Sequence, residues 1–109
     1  DGAQGFGGSV QEKRACSFGD VSVTSFFPVK PLGAYGDGGA IFTDNDNYAD
    51  LLWSLRSHGR TRENKYDNAI IGFNSRLDTI QAAILLEKLD FTGFIGCRQF
   101  VIRHFVHHF

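Results

Sequence analysis

Methionine is absent from this 109-residue sequence, and cysteine and proline occur only twice each. Cys16 and Cys97 are isolated and far apart, which excludes a disulfide framework and indicates free thiols in a reducing compartment, the cytoplasm. No apolar run approaches the length of a membrane span, so we expect no membrane-embedded segment. Because the chain begins abruptly at Asp1 without an initiator methionine, we expect a fragment or a processed piece.

An excess of charge of one sign is also lacking, because 11 basic and 12 acidic residues give a formal net charge of −1. A protein that binds nucleic acid or an anionic membrane surface needs an excess of positive charge, so neither class of partner is predicted. The 42% hydrophobic and 21% charged residues are typical of a soluble protein. The length suffices for one small domain with a modest core.

Both prolines flank one lysine, within S-F-F-P-V-K-P-L-G-A-Y-G-D-G-G-A at 25–40. Pro28 and Pro31 fix their own φ angles and restrict the residues before them, so Lys30 lies on a stiff, non-helical turn. The glycines that follow allow other groups to approach the backbone closely. A lysine held in this way suits a nucleophile, which needs a fixed amine; the alternative is a surface lysine after a turn.

Two strands and two helices are predicted around this stretch. Residues 20–27 alternate and are rich in β-branched and aromatic side chains, which indicates a strand, and 40–43 form a second one. Residues 1–8 have a loop composition, and 9–17 a polar connecting one. The predicted first helix is capped within 43–45 and ends at His58-Gly59; its apolar face comprises Tyr48, Leu51, Leu52 and Leu55.

A second helix is predicted to begin at a cap formed by Asn74 and Ser75. Its expected apolar face comprises Leu77, Ile80, Ala83, Ile84 and Leu85. The pattern fades near Asp90, and a third helix is predicted over 94–109. His104, His107 and His108 there have helical spacing that suits a metal, but no second ligand set is evident, so no metal site is predicted.

Several separated segments, in one order, resemble the DegT/StrS family of sugar aminotransferases that depend on pyridoxal phosphate (PLP). They are D-G-A-Q at 1–4, S-F-G-D at 17–20, the whole of 25–40, S-H-G at 57–59 and G-F-N-S-R-L-D-T-I-Q-A-A-I-L at 72–85. The resemblance implies an α/β fold, as a fragment of the large PLP-binding domain of a fold-type-I aminotransferase. It covers 1–89 as the central part of that domain and leaves 90–109 as a divergent apolar tail.

The resemblance assigns the cofactor-binding residues one by one. Lys30 matches the lysine that carries PLP as a Schiff base. Asp1 matches the carboxylate that pairs with the pyridine nitrogen and so keeps the ring an electron sink. Gln4 resembles the glutamine on the side of the ring's 3-oxygen, and Ser25 the hydroxyl that binds the cofactor phosphate. Asn74 resembles an asparagine that reaches this phosphate from a neighbouring subunit, although it could also cap a helix.

Two further residues resemble substrate-binding positions. Arg76 is similar to an arginine on the same cross-subunit loop, a guanidinium fork for a carboxylate or phosphate. His58 matches a position near the substrate. The resemblance implies that an amino donor such as glutamate and a nucleotide-linked keto sugar are the substrates, with 3-keto sugar acids closest, and that the enzyme is a homodimer or a larger homo-oligomer.

The chain also departs from the family pattern. Missing are the part of the cofactor domain that contains the phosphate loop and the ring-stacking aromatic, and the C-terminal small domain. Two hypotheses follow. The first is a PLP-dependent sugar aminotransferase, for cell-surface polysaccharide or antibiotic sugar synthesis, present as its central segment. The second is a non-catalytic truncated remnant that forms a small α/β oligomer.

Overall fold

A computed structural model describes residues 1–91, which form short antiparallel strand pairs and two helices. In chain order the elements are β1 (Ser9–Val10), β2 (Lys13–Arg14), β3 (Ser22–Ser25), β4 (Gly39–Phe42), α1 (Asp46–Arg56) and α2 (Thr79–Phe91). Neither helix in this part of the chain is long and apolar enough to cross a membrane. The expected third helix, its histidines and Cys97 lie outside the described residues.

The β3–β4 pair is the centre of the fold. Its register places Ser25 opposite Gly39, and the predicted strand over 20–27 is shortened to four residues. Along the other edge of β3, the Gly2 N–H donates to the Val23 carbonyl at 2.7 Å. The start of the chain is therefore fixed beside β3. The polar segment 9–17, expected to be a connection, contains the small β1–β2 hairpin instead.

One face of β3 is buried and the other is open. Thr24 and Phe26 are buried, while Val21 and Val23 on the opposite face are 45% and 39% exposed. Alternation in the sequence identified the two faces but could not select the inner one. Phe26 belongs to a core cluster whose members come from β4, the loop between the two strands and α2: Phe26, Leu32, Ala34, Ala40 and Leu85.

Helix α1 begins as expected and packs differently from the prediction. The Asn45 side chain caps it by accepting hydrogen bonds from the N–H groups of Asn47 and Tyr48. Its buried residue is Ala49, whereas Tyr48 and Leu51 of the predicted apolar face are 43% and 49% exposed. Periodicity defines a stripe on the helix, but only the neighbouring chain decides which part of that stripe is covered.

The end of α1 also differs from the prediction. The cap is Ser57, and the left-handed backbone begins at His58, with φ 65°, before the expected Gly59, with φ 77°. The Gly59 N–H donates to the Ser54 carbonyl at 2.8 Å and satisfies an open carbonyl of the last turn. His58 therefore adopts a conformation that residues other than glycine seldom use.

The predicted cap of α2 at Asn74 and Ser75 is wrong, because α2 begins at Thr79. The Ser75 N–H donates to the Arg56 carbonyl at 3.0 Å, so this segment is extended along the end of α1. Asp78 caps the helix instead, accepting from the Ile80 N–H at 2.8 Å. Leu85 is buried as expected, but Ile80, assigned to the same apolar face, is 69% exposed.

Candidate functional site

Lys30 closes a tight turn directly after β3. Its N–H donates to the Phe27 carbonyl at 2.9 Å, with Pro28 at the second position of the turn. A Cβ added at Gly33 would overlap the Pro28 carbonyl oxygen, so this glycine lets the chain pass directly against the turn. The Ala34 N–H then donates to the Phe26 carbonyl at 2.7 Å. The loop is thus folded back on the end of β3, and the half-buried Lys30 lies on a rigid support.

Helix α2 anchors this loop through two polar side chains that the sequence reading did not single out. Gln81 Oε1 accepts from the Tyr35 N–H at 2.9 Å. Lys88 Nζ donates to the Gly33 carbonyl at 2.6 Å and lies 4.8 Å from the centre of the Tyr35 ring. Gln81 and Lys88 are two helical turns apart and share a face, and this polar pair in an apolar helix is the signal that could have identified them.

Ser25 and Asp1 lie along the strand that leads to Lys30. The Ser25 Oγ accepts from the Phe27 N–H at 3.2 Å, so the hydroxyl proton can be donated to an anion. Asp1 is positioned beside β3 by the Gly2–Val23 hydrogen bond, and its Oδ1 accepts from the Ala3 N–H at 2.8 Å. Gln4 is exposed in the turn that follows.

These groups have the chemistry that PLP requires. A carboxylate suits the ring nitrogen, a hydroxyl donor suits the phosphate, and an amine suits the carbonyl. The Ser25 oxygen already accepts a hydrogen bond from the backbone, which leaves its proton for donation. This hydroxyl therefore suits the phosphate-binding role. A cleft of about 430 Å³ is lined in part by Asp1, Cys16 and Val21, so it shares Asp1 with this group; Ser25 and Lys30 are not among its lining residues.

The remaining candidates form a second group at the end of α1. The His58 N–H donates to the Phe73 carbonyl at 2.8 Å, and Asn74 pairs with Ser57 in an isolated bridge. His58, Asn74 and Arg76 are all exposed. Because α2 starts at Thr79, Asn74 does not cap it, which removes the competing role for this side chain.

Burial and like charge act on two other side chains. Burial raises the pKa of the Cys16 thiol, despite an opposing hydrogen bond with Thr24. Burial also lowers the pKa of Arg56, and three neighbouring arginines, Arg76, Arg60 and Arg62, lower it further. The sequence reading identified only Arg76 among these arginines.

Comparison with known proteins places these segments in context. The sequence profile of the DegT/DnrJ/EryC1/StrS aminotransferase family matches residues 1–105. The UDP-2-acetamido-2-deoxy-3-oxo-D-glucuronate aminotransferase of Pseudomonas aeruginosa is 53% identical over 100 residues, which are 91% of this chain and 27% of that protein. The dTDP-3-amino-3,4,6-trideoxy-alpha-D-glucose transaminase of Micromonospora megalomicea is 40% identical over 97% of this chain and 28% of that protein.

A solved structure shows the same fold. The crystal structure of a DegT DnrJ EryC1 StrS aminotransferase from Brucella abortus matches with a TM-score of 0.78 and 55% identity, over 82% of this chain and 24% of that one. The chain therefore spans about a quarter of the length of the relatives it matches. The described residues are a partial α/β unit of the fold-type-I kind, as the sequence reading expected.

Proposed function

The chain belongs to the DegT/DnrJ/EryC1/StrS aminotransferase family, and from that premise we propose that it is the central segment of an enzyme that aminates a nucleotide-linked keto sugar. Relatives named for UDP-linked and dTDP-linked sugars support this substrate class. The 53% identity to an enzyme named for a 3-oxo-glucuronate favours a 3-keto sugar acid as the acceptor. The proposed purpose is the synthesis of a cell-surface polysaccharide or of an antibiotic sugar. Glutamate is the proposed amino donor, and the cytoplasm the proposed location.

Pyridoxal phosphate, when bound, supplies a ring that withdraws electrons from the reacting carbon. The proposed work of the protein is then divided among a few side chains. Lys30 Nζ is the nucleophile that holds the cofactor, and as a free amine it moves a proton on and off the substrate carbon that bears the nitrogen. Asp1 would keep the ring nitrogen protonated, Ser25 would donate to the phosphate, and Gln4 would contact the 3-oxygen side of the ring.

The second group is proposed to serve the site of another copy of the chain. Asn74 would reach the cofactor phosphate across a dimer interface, with His58 near the substrate and Arg76 binding its carboxylate or phosphate. All three side chains are exposed at the end of α1, as such a role requires. A homodimer or larger homo-oligomer is therefore part of the proposal.

The observation that supports the proposal most strongly is the position of Lys30 on a turn fixed by the Phe27–Lys30 hydrogen bond and the contact between Gly33 and Pro28. Incubation with PLP, reduction with borohydride and peptide mapping test it. We expect the label on Lys30, and its loss in Lys30→Arg. Equal labelling of Lys13, Lys65 and Lys88 in the unaltered chain would contradict the proposal.

A non-catalytic remnant is the second candidate, and the limited span of the chain favours it for these 109 residues acting alone. Precise orientation of reacting groups can supply up to about 7–11 kcal/mol of a barrier, and the chain corresponds to only 27% of the P. aeruginosa enzyme. Glutamate-dependent amination of a UDP-linked keto sugar separates the candidates. Robust turnover by the 109-residue chain would exclude the remnant, whereas labelling of Lys30 without turnover would support it.

A further inference from the structure

Four arginines gather around the end of α1, and we call Arg56, Arg60, Arg62 and Arg76 the arginine cluster. Arg60 and Arg62 both lie over the Trp53 ring, at 5.0 and 4.7 Å from its centre. The hydrogen bond from the Ser75 N–H to the Arg56 carbonyl brings Arg76 alongside. Like charges so close together repel one another unless an anion lies among them.

The cluster has too few negative partners among the described side chains. Arg62 forms a salt bridge to Asp50 at 2.8 Å. Among the side chains of residues 1–89, no carboxylate lies within ion-pair distance of Arg56, Arg60 or Arg76. The carbonyls at the end of α1 favour one positive charge there, but that effect is confined to the last turn and leaves the other charges unbalanced.

Buried polar atoms without partners lie in the same place. Arg56 Nε, Arg60 Nε and the hydroxyl of Ser57, whose residue is 0% exposed, are buried and make no hydrogen bond in the described part of the chain. A buried donor left without a partner costs free energy, so such atoms are rare in proteins. Here three of them lie within five consecutive residues, and all three can donate.

The backbone that holds these side chains is firmly braced. Arg60 pairs with Asn68 and Ser57 with Asn74 in isolated bridges. A Cβ at Gly59 would overlap the Ile70 carbonyl, and a Cβ at Gly72 would overlap the backbone of Gly59. The backbone after α1 and the backbone around 70–72 are therefore in direct contact, which only glycine allows. The backbone that carries Arg56 and Arg60 is therefore held in place before any ligand arrives, which limits the part of the ordering entropy that the backbone would cost on binding.

We propose that Arg56, Arg60 and Arg76, whose side chains are at least partly exposed, bind a phosphoryl oxyanion. Three cationic forks match a phosphoryl group, which offers more acceptor oxygens and more charge than a single carboxylate. Arg76 is shared with the proposed substrate-binding group, whereas Arg56 and Arg60 have no part in the proposed transamination. It does not depend on Lys30, so failure of one proposal leaves the other standing.

Isothermal titration of the 109-residue chain at low, chloride-matched ionic strength tests the site. The probes are orthophosphate, pyrophosphate and UDP, with glutarate as a carboxylate control. We expect a phosphoryl probe to bind more tightly than glutarate. Pyrophosphate and UDP binding best would identify a nucleotide diphosphate as the source, and orthophosphate binding equally well would identify a single phosphate; both results support the site. Glutarate binding as tightly as every phosphoryl probe would overturn it.

Matched variants assign the binding to these side chains. Losing a hydrogen bond to a charged group costs about 1.5–3 kcal/mol, so Arg60→Gln should weaken binding roughly tenfold or more. Arg60→Lys keeps the charge without the fork and should recover only part of the loss. Arg14→Gln, on β2, removes one charge elsewhere and should have little effect. Equal weakening by Arg14→Gln and Arg60→Gln would show nonspecific attraction and refute the site.

A measurement on the unaltered chain keeps the proposal testable even if the variants do not fold. Phenylglyoxal modifies arginine, and mass spectrometry reports each position separately. Pyrophosphate should protect Arg56 and Arg60 and leave the modification of Arg14 unchanged. Unprotected Arg56 and Arg60 at saturating pyrophosphate would also overturn the proposal.

Discussion

The side-chain carbonyl of Gln81 accepts a 2.9 Å hydrogen bond from the backbone N–H of Tyr35, across 46 residues of sequence. Lys88, two turns further along α2, donates to the Gly33 carbonyl at 2.6 Å. The loop that follows Lys30 is thus attached to α2 at two points. The position of this helix therefore helps to set the backbone that supports the proposed nucleophile.

Removing the first attachment should destabilise the chain. We predict that Gln81→Ala lowers the free energy of unfolding by about 1 kcal/mol, the usual net value of a hydrogen bond. Urea unfolding followed by circular dichroism measures it. The control is Glu87→Ala, an exposed position on the same helix, which should stay within about 0.5 kcal/mol of the parent. Equal effects of the two variants would show that the Gln81–Tyr35 bond contributes nothing specific.

Gly38, which immediately precedes β4, permits close packing of the chain against Leu77 and Phe26. An added Cβ would lie 2.9 Å from Leu77 Cδ1 and 3.4 Å from the Phe26 Cβ. We predict that Gly38→Ala destabilises the chain by about 1–3 kcal/mol through overpacking. Gly5→Ala is the control, because its Cβ would meet only the Ala15 Cβ at an ordinary 3.7 Å. Thermal unfolding compares the two, and a Gly38→Ala chain as stable as the control would refute the packing argument.

Cys16 should make stability fall at alkaline pH. Burial raises its pKa above the ordinary value of 9.0. The unfolded chain therefore ionises first, and the stabilising contribution, complete below pH 9, is lost as the pH rises from there through the folded pKa. Urea unfolding across this range should show a smaller loss for Cys16→Ala than for the parent, both in a Cys97→Ser background. Identical losses of stability in the two chains would show that a group other than Cys16 titrates in this pH range.

Self-association is expected from the open face of α2. Ile80 and Leu86 are 69% and 61% exposed. Large apolar side chains that are exposed together tend to be covered by a second protein surface. We predict a homodimer or larger form by light scattering at micromolar concentration, and a smaller mass for the double variant Ile80→Glu, Leu86→Glu. Val10→Glu, at a 66% exposed position on β1, is the control. A parent chain that is already monomeric would contradict this prediction.

The sequence predicted which helices and strands form better than it predicted where they end and which of their faces are buried. The strand centred on Val23, the Asn45 cap and the turn at Lys30 were all readable, because alternation, side-chain capping and proline act over a few residues. The start of α2 was misplaced since Asn74 and Ser75 have good capping chemistry, but pairing with the end of α1 uses their backbone instead. Contacts distant in sequence decided that competition.

The sequence by itself determined the family of the chain and its local chemistry: a lysine between prolines, followed by glycines, within motifs that match a family of sugar aminotransferases. Only the tertiary structure decided that Gln81 reaches Tyr35, that Thr24 rather than Val23 faces the core, and that Arg56 and Arg60 lie with Arg76. The physical reason is the distance along the sequence over which each interaction acts. Turns and caps depend on neighbours along the chain, whereas burial and charge clustering depend on which distant segments pack together.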